Sequence, residues 1–232
     1  MQHADTARNR RYTVVAHRDP VTVTLDIRRS EFIGIIRRVD SEDEARAWID
    51  EVRRTHHGAT HVVPAFVLGA DRNIQRSSDD GEPAGTAGMP MLQALTNYRA
   101  IHSGTEFADL SDVCAIAVRY FGGIKLGAGG LVRAYSDTVV TALEQTPLIV
   151  RKRMVIVSLD APHAEVGRVE NDLRSADYTV LGTDYAGPQA TITVGLDDVD
   201  DALEQFNARL AAMTAGELAG NIVGTRWQDV SA

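Results

Sequence analysis

Apolar residues along this chain recur with two different periods, and each period predicts one kind of element. Residues 21–27 alternate between apolar and polar side chains, which is the pattern of a half-buried strand. Residues 42–54 carry apolar side chains three and four positions apart, which predicts an amphipathic helix. Ser41 and Glu44 form a capping-box pattern at the start of this stripe, so the helix is expected to begin just after Ser41.

The same reasoning predicts the other elements of the first part of the chain. The expected strands lie at residues 32–39, 61–68 and 113–119, and the expected helices at 90–98 and 128–144. Pro90 fits a helix start, where its missing N–H costs nothing. Residues 70–88 are predicted to form a long polar loop, and residues 1–12 a flexible tail.

The amino-acid pattern of the chain changes at Thr146-Pro147. Because proline disfavours helix in the residue before it, the preceding helix should end there, and we predict a domain boundary near residue 148. Beyond it the expected order is strand, helix, strand, strand, helix, strand, at residues 154–159, 163–175, 178–185, 190–196, 199–213 and 218–227. This βαββαβ order is that of a ferredoxin-like domain. The predicted fold class is α+β, with one domain over residues 1–148 and a ferredoxin-like domain over residues 149–232.

Composition excludes several classes of protein. An apolar content of 44% in 232 residues is too high for a disordered chain. Cys114 is the single cysteine, so neither a disulfide framework nor a zinc ribbon is expected. Its apolar neighbours predict a buried thiol rather than a nucleophile. The N-terminal residues lack the apolar core of a signal peptide, and no window reaches the roughly 18 apolar residues of a membrane span. A cytoplasmic protein with no membrane partner is expected.

The charge of the chain is unevenly distributed. The formal net charge of −8 argues against a protein that coats nucleic acid. Residues 1–150 nevertheless carry a net charge of only −2, whereas residues 151–232 carry −6. A local phosphate contact in the first domain is therefore compatible with the overall charge.

Nine of the 19 glycines lie between Gly81 and Gly130, mostly in two segments. The second segment, residues 119–135, passes from a predicted strand through a glycine loop into a predicted helix. Free amides at a helix start attract anions, and basic residues surround this one. The candidate nucleic-acid- or anion-binding residues are Arg119, Tyr120, Gly122, Gly123, Lys125, Gly127, Gly129, Gly130, Arg133 and Tyr135.

Other interpretations of this segment stay open. It matches neither a Walker A loop nor a dinucleotide fingerprint. Tight packing between strand and helix, which only glycine permits, is the alternative to an anion site. Tyr120, Phe121 and Tyr135 are candidates for stacking on bases if they are exposed.

The first segment is an acidic loop rich in glycine and proline. Its candidate residues are Ser78, Asp79, Asp80, Gly81, Glu82, Pro83, Gly85, Thr86 and Gly88. Neighbouring carboxylates can bind a hard cation or act as acid and base, and His61 on a predicted strand is available to join them. No metal-ligand spacing of the His-Glu-x-x-His kind is present, so no metal and no cofactor are predicted. A polar turn is the alternative interpretation.

Together the two segments resemble the signature motifs of the IMPACT family, in its bacterial branch. Residues 78–92 and 118–135 carry the resemblance, and Ser30-Glu-Phe-Ile33 and His61-x-x-x-Ala65-Phe66 match weaker marks upstream. The resemblance covers the second domain by architecture only. Val63 stands where many members have cysteine, so any role for that thiol is absent here.

The resemblance implies a first domain similar to the second domain of ribosomal protein S5. Followed by a ferredoxin-like domain, it is similar to the tail of a translocase elongation factor. Eukaryotic relatives regulate translation by competing for an activator of a stress kinase. They carry a different partner domain, so the resemblance does not imply that mechanism here. No enzymatic activity follows from the resemblance.

The leading hypothesis is a non-enzymatic, translation-linked regulator that contacts RNA or the ribosome. A protein partner in the translation machinery is also compatible with the sequence. The alternatives are a small-molecule kinase-like enzyme using residues 126–130, a hydrolase using Asp79, Asp80 and Glu82, and a protein-interaction module. The oligomeric state is not predicted.

Overall fold

A computed structural model describes residues 9–230 of the chain, which fold as two compact units. Within these residues the first unit runs to Arg151, and the second covers residues 152–229. The predicted tail lies outside the described residues up to position 8, and its last two positions begin a strand. The tail prediction is wrong there because Tyr12 is buried, and its hydroxyl donates to Asp112 Oδ2 at 2.5 Å.

The first unit contains eight strands and three helices along its described residues. In chain order they are β1 (Arg11–Val15), β2 (Val21–Ile27), β3 (Ser30–Arg38), α1 (Glu42–Thr55), β4 (His61–Leu68), β5 (Ile74–Ser77), α2 (Gly88–Asn97), β6 (Ala100–His102), β7 (Thr105–Phe107), β8 (Val113–Tyr120) and α3 (Ala128–Glu144). Five of the strands form an antiparallel sheet in the order β2-β3-β8-β4-β5. β6 and β7 form a separate hairpin.

Strand β8 lies at the centre of this sheet and is buried on both faces, which explains its unbroken apolar run. One face, including Ala115 and Ala117, packs in the core with residues of α2 and α3. The other face, including Cys114 and Ile116, packs with residues of α1. Burial raises the pKa of the Cys114 thiol, consistent with the predicted inert thiol.

The predicted helix cap of α1 is present. The Glu44 N–H donates to Ser41 Oγ at 3.1 Å, and the Glu44 carboxylate accepts from the Asp40 N–H at 2.8 Å. The predicted loop at residues 70–88 contains β5, which the sequence does not reveal. Side chains on both faces of β5 are at least partly exposed, so the strand has no alternation of apolar and polar residues.

The second unit has the predicted βαββαβ order. Its elements are β9 (Leu148–Ala161, beginning in the first unit), α4 (Val166–Ser175), β10 (Thr179–Asp184), β11 (Ala190–Asp197), α5 (Ala202–Met213) and β12 (Asn221–Val230). The strand order β12-β9-β11-β10 is that of a ferredoxin-like sheet. Helix α4 begins after His163, because a turn precedes it in which the Glu165 N–H donates to the Pro162 carbonyl at 2.8 Å.

Both units have α+β folds, as the sequence predicts. Among residues 9–230, no helix has the length and apolar content that crossing a bilayer requires.

Packing of β3 under α3 depends on the missing side chain of Gly34. A Cβ there would lie 2.7 Å from Thr138 Cγ2 and 2.9 Å from the Thr138 carbonyl oxygen. Gly34→Ala is therefore expected to lower the free energy of unfolding by about 1–3 kcal/mol, measured by urea denaturation. Gly58→Ala is the control, because a Cβ at Gly58 meets nothing within 4 Å. Equal stability of the two variants would contradict this packing.

Candidate functional site

The carboxylate of Asp79 organises the loop between β5 and α2. Its Oδ2 accepts from the Gly85 N–H at 2.8 Å, and its Oδ1 accepts from the N–H groups of Ala87 (3.1 Å) and Gly88 (2.8 Å). The last two amides lie at the start of α2, whose N-cap residue Ala87 has no side chain to satisfy them. Burial raises the pKa of Asp79, but the three hydrogen bonds outweigh burial and hold this pKa below its usual value. The Asp79 carboxylate therefore caps the N-terminus of α2, although Asp79 lies in the preceding loop and not at the N-cap position.

Asp80 attaches the same loop to β4 and α1. Its carboxylate accepts from the Val62 N–H at 2.7 Å and from the Arg53 guanidinium at 3.1 Å. Its carbonyl lies 2.8 Å from Nδ1 of His61. A carbonyl oxygen only accepts, so this contact places a proton on Nδ1 of His61.

The carboxylate of Glu82 lies at the centre of a buried polar cluster. Its Oε1 accepts from Nη1 of Arg119 at 2.5 Å and from the hydroxyl of Tyr135 at 2.7 Å, and Nε2 of His61 lies 3.7 Å away. The side chains of Glu82 and Arg119 are only 4% and 6% exposed. Burial, followed by the hydrogen bond to Glu82 and its charge, raises the pKa of Tyr135 above its usual range, so the hydroxyl remains a donor.

Aromatic rings surround the Arg119 guanidinium. Its carbon lies 5.3 Å from the ring centre of Phe32 and 5.4 Å from that of Phe121. The Phe32 ring packs edge-on against Tyr135, with ring centres 5.3 Å apart. We call Phe32, Glu82, Arg119 and Tyr135 the Glu82 cluster. It joins the first glycine-rich segment to β3, β8 and α3.

This geometry corrects two of the predicted anion contacts. Tyr135 and Arg119 are both buried, and both donate to Glu82, so neither is available to a ligand at the surface. Tyr120 is half-buried, and its hydroxyl lies 3.0 Å from Nδ1 of His56. Of the three stacking candidates, Phe121 is the exposed ring.

The loop that follows β8 packs against the turn between β2 and β3. A Cβ at Gly122 would overlap the carbonyl of Arg29, so only glycine fits there. The Gly122 N–H donates to Ser30 Oγ at 3.2 Å. Close packing therefore explains why residue 122 is glycine, in agreement with the packing interpretation of the second glycine-rich segment.

Packing does not account for Gly129, the second residue of α3. It is exposed, its φ is not positive, and a Cβ there would meet nothing within 4 Å. Glycine is a weaker helix former than alanine, and no packing contact favours it at this position. A bare backbone leaves room for close approach by a ligand.

Four exposed cations lie on the elements around this loop. Arg28 and Arg29 form the tip of the β2–β3 hairpin, Lys125 lies in the loop, and Arg133 lies on α3. Over residues 9–230, none of the four has a carboxylate oxygen within 4.0 Å. Together with Phe121 and Gly129 they define what we call the hairpin–loop surface.

A groove of about 540 Å³ lies on this surface. Arg28 and Arg133 line it together with Gly129 and Gly130, and Asp137 is the acidic residue of its lining. Gly127, which precedes α3, and Gly123 have positive φ angles of 73° and 87°.

Comparisons with known proteins match both units. The Impact N-terminal domain matches residues 28–143, and a domain of unknown function, DUF1949, matches residues 159–217. YvyE of Bacillus subtilis, an IMPACT family member, is 41% identical over 160 residues, which are 69% of each chain. YigZ of Escherichia coli, another member, is 34% identical over 201 residues, or 86% of this chain and 92% of that protein.

The chain belongs to the IMPACT family. A crystal structure of a hypothetical protein is also similar, with 32% identity and a TM-score of 0.59 over 92% of this chain and 98% of the other. The resemblance drawn from the two glycine-rich segments is thus confirmed.

In this IMPACT-family protein the short upstream marks and the two long motifs meet in space. Ser30 holds the Gly122 amide, Phe32 belongs to the Glu82 cluster, and His61 contacts the Asp80 carbonyl. Val63 is fully buried in the core.

The other residues of the first motif shape its loop. The Asp80 N–H donates to Ser78 Oγ at 3.2 Å, the Thr86 hydroxyl donates to the Pro83 carbonyl at 2.7 Å, and a Cβ at Gly88 would lie within 3 Å of the Ser78 backbone. Gly81 and Gly85 have positive φ angles of 84° and 75°. No three His, Cys, Asp or Glu side chains in the described part of the chain are arranged to hold a metal ion.

Sequence reasoning missed Arg28 and Arg29. The two strand predictions on either side leave them in a short connection, which indicates a turn. No local pattern shows that the loop after β8 packs against this turn.

The hydroxyl of Tyr135 is predicted to stabilise the Glu82 cluster. Tyr135→Phe removes one of the two close donors to a buried carboxylate, so the free energy of unfolding is expected to fall by about 1–3 kcal/mol. Urea denaturation measures the change. Tyr185→Phe is the control, because Tyr185 is 57% exposed. A loss no larger than that of the control would show that the hydrogen bond contributes nothing.

The cap formed by Asp79 is predicted to depend on pH. Because the pKa of Asp79 is lowered by folding, its stabilisation is present above the unfolded pKa of about 4 and is lost as the pH falls through the lower folded pKa. Asp79→Asn should therefore cost about 1 kcal/mol at neutral pH, and the cost should shrink in acid. Unfolding measured across this pH range checks the trend, with the exposed Asp26→Asn as control. A cost that does not change with pH would contradict it.

Proposed function

We propose that this IMPACT-family protein is a non-enzymatic cytoplasmic regulator linked to translation, which contacts RNA or the ribosome through the hairpin–loop surface. Membership of the family supports the translation-related role. The observation that carries the RNA contact is the group of four exposed cations without carboxylate partners, around a glycine that packing does not require.

Phosphate recognition needs the features that this surface combines. Cations that are not neutralised by neighbouring carboxylates attract phosphates, and such contacts position a nucleic acid without reading its sequence. Lys125, Arg133, Arg28 and Arg29 would supply the charge. The amides of Gly127, Gly129 and Gly130 would supply hydrogen bonds at the start of α3.

The net charge of the chain favours a local contact over a broad one. Most of the acidic excess lies after residue 150, in the other unit. We therefore expect binding that is confined to this surface and that weakens steeply as salt is added.

A hydrolase built on the first motif has less support. The carboxylates of Asp79, Asp80 and Glu82 each accept hydrogen bonds that hold the loop or the buried cluster.

A thermal-shift screen with nucleotides, with and without magnesium, tests the kinase-like alternative. Stabilisation by a nucleotide would favour that alternative over the present proposal.

Removing cations from the surface is expected to weaken binding to RNA and to ribosomes. In Lys125→Ala/Arg133→Ala, the dependence of binding on salt should become shallower, by roughly 0.7 in log–log slope for each phosphate that the variant no longer neutralises on single-stranded RNA. Ribosome co-sedimentation and RNA titrations at several salt concentrations measure both effects. Arg209→Ala/Arg226→Ala removes the same charge from exposed positions in the second unit and is the control.

Two outcomes would count against the proposal. If the wild-type protein binds neither RNA nor ribosomes at low salt, the proposal is wrong. If the control variant loses as much affinity as the surface variant, the RNA-binding surface lies elsewhere.

A Gly129→Ala variant tests the close approach separately. The added methyl group lies in open space and alanine favours helix, so the stability should stay equal or rise. Binding should nevertheless weaken if a phosphate approaches the bare backbone. Unchanged affinity would show that nothing approaches at this position.

A further inference from the structure

We infer that the hairpin–loop surface takes single-stranded RNA, and that Phe121 is the platform on which an unpaired base stacks. This inference rests on the proposed function and names the class of RNA that the surface would bind. Four observations support it: the exposure of the ring, its fixed backbone, the guanidinium beside it and the charge around it.

Phe121 is a large apolar side chain that the fold leaves in solvent. It is 46% exposed although it directly follows the buried strand β8. Ile124, three residues further along the same loop, is 39% exposed. An aromatic ring exposed in this way beside cations is a feature of proteins that bind unpaired bases.

The backbone that carries the ring is held in place. The Phe121 N–H donates to Thr60 Oγ1 at 3.1 Å, and the next N–H, that of Gly122, donates to Ser30 Oγ. Gly122 also packs directly on the backbone of Arg29. The ring therefore projects from a fixed position, so little conformational freedom remains to be lost when a base stacks on it.

The Glu82 cluster gives the ring a second support. The Arg119 guanidinium lies over the Phe121 ring, and Glu82 holds that guanidinium in place. Glu82 of the first signature motif thereby helps to fix the position of Phe121 in the second motif, through Arg119. This coupling gives the buried cluster a role in preparing the exposed ring.

The surrounding charge favours RNA as the occupant. Arg29 lies against Gly122, and Lys125 lies in the same loop, and neither has a carboxylate partner among residues 9–230. A strand whose phosphates contact these cations brings its bases near the ring. In a duplex the bases are already stacked and paired, so a flat ring offers them little, whereas an unpaired base gains a stacking partner.

The test compares two RNA probes on the full-length chain. One is a fluorescein-labelled oligouridylate, and the other is the same strand annealed to oligoadenylate, both titrated at low salt. The variants are Phe121→Ala, Phe121→Leu and Phe121→Tyr. Leucine keeps an apolar side chain without a π-face, and tyrosine restores the ring. Ile222→Ala, at a 54% exposed position in the second unit, is the control.

The inference predicts tighter binding of the single strand than of the duplex. Phe121→Ala and Phe121→Leu should each weaken binding of the single strand about tenfold, whereas Phe121→Tyr and the control should bind as the wild type does. Circular dichroism and thermal melting of each variant show whether it is folded. Because Phe121 is exposed, the variants are expected to fold.

The other outcomes separate this inference from the proposed function. If single strand and duplex bind equally, or if leucine serves as well as tyrosine, the stacking inference is overturned and the RNA contact stands. If neither probe nor the ribosome binds the wild type, both proposals are wrong.

Discussion

The carboxylate of Glu82 is the interaction on which the arrangement of the first unit depends. It is almost completely buried, yet it accepts hydrogen bonds from a guanidinium on β8 and a hydroxyl on α3. A buried charge is tolerated only when such partners are present, and removing the oppositely charged partner typically costs about 3–5 kcal/mol. The loop that contributes Glu82 is thereby fixed to the central strand and to the helix beyond it.

The two glycine-rich segments differ in what their polar groups contact. In the first segment, the carboxylates of Asp79 and Asp80 accept hydrogen bonds from backbone amides, and the carboxylate of Glu82 accepts hydrogen bonds within the buried cluster. In the second, the backbone at Gly127 and Gly129 is exposed, and the cations Lys125 and Arg133 lack carboxylate partners among residues 9–230. The first segment therefore has a structural role: it holds in place the second segment, whose loop forms part of the hairpin–loop surface.

Much of the fold was accessible from the sequence because its signals are local. The alternation in β2, the capping box at Ser41 and the proline near the domain boundary each act within a few residues. β5 was missed because no alternation marks it, and the sequence could not show that Arg119 and Tyr135 turn inward. Basic and aromatic residues beside glycines suggest a binding surface, but Arg119 and Tyr135 are turned inward by contacts with Glu82, which lies far away in the chain. The exposed partners Arg28 and Arg29 were missed for the same reason, since they reach the loop through a tertiary contact.

Amide hydrogen exchange in a Glu82→Gln variant tests this central role most directly. If Glu82 joins the two segments, protection should fall both in residues 78–88 and at the hydrogen-bonded amides of Phe121 and Gly122, while residues 152–229 keep the protection of the wild type. Loss of protection confined to residues 78–88 would show that the second loop holds its shape without Glu82, and it would contradict this account.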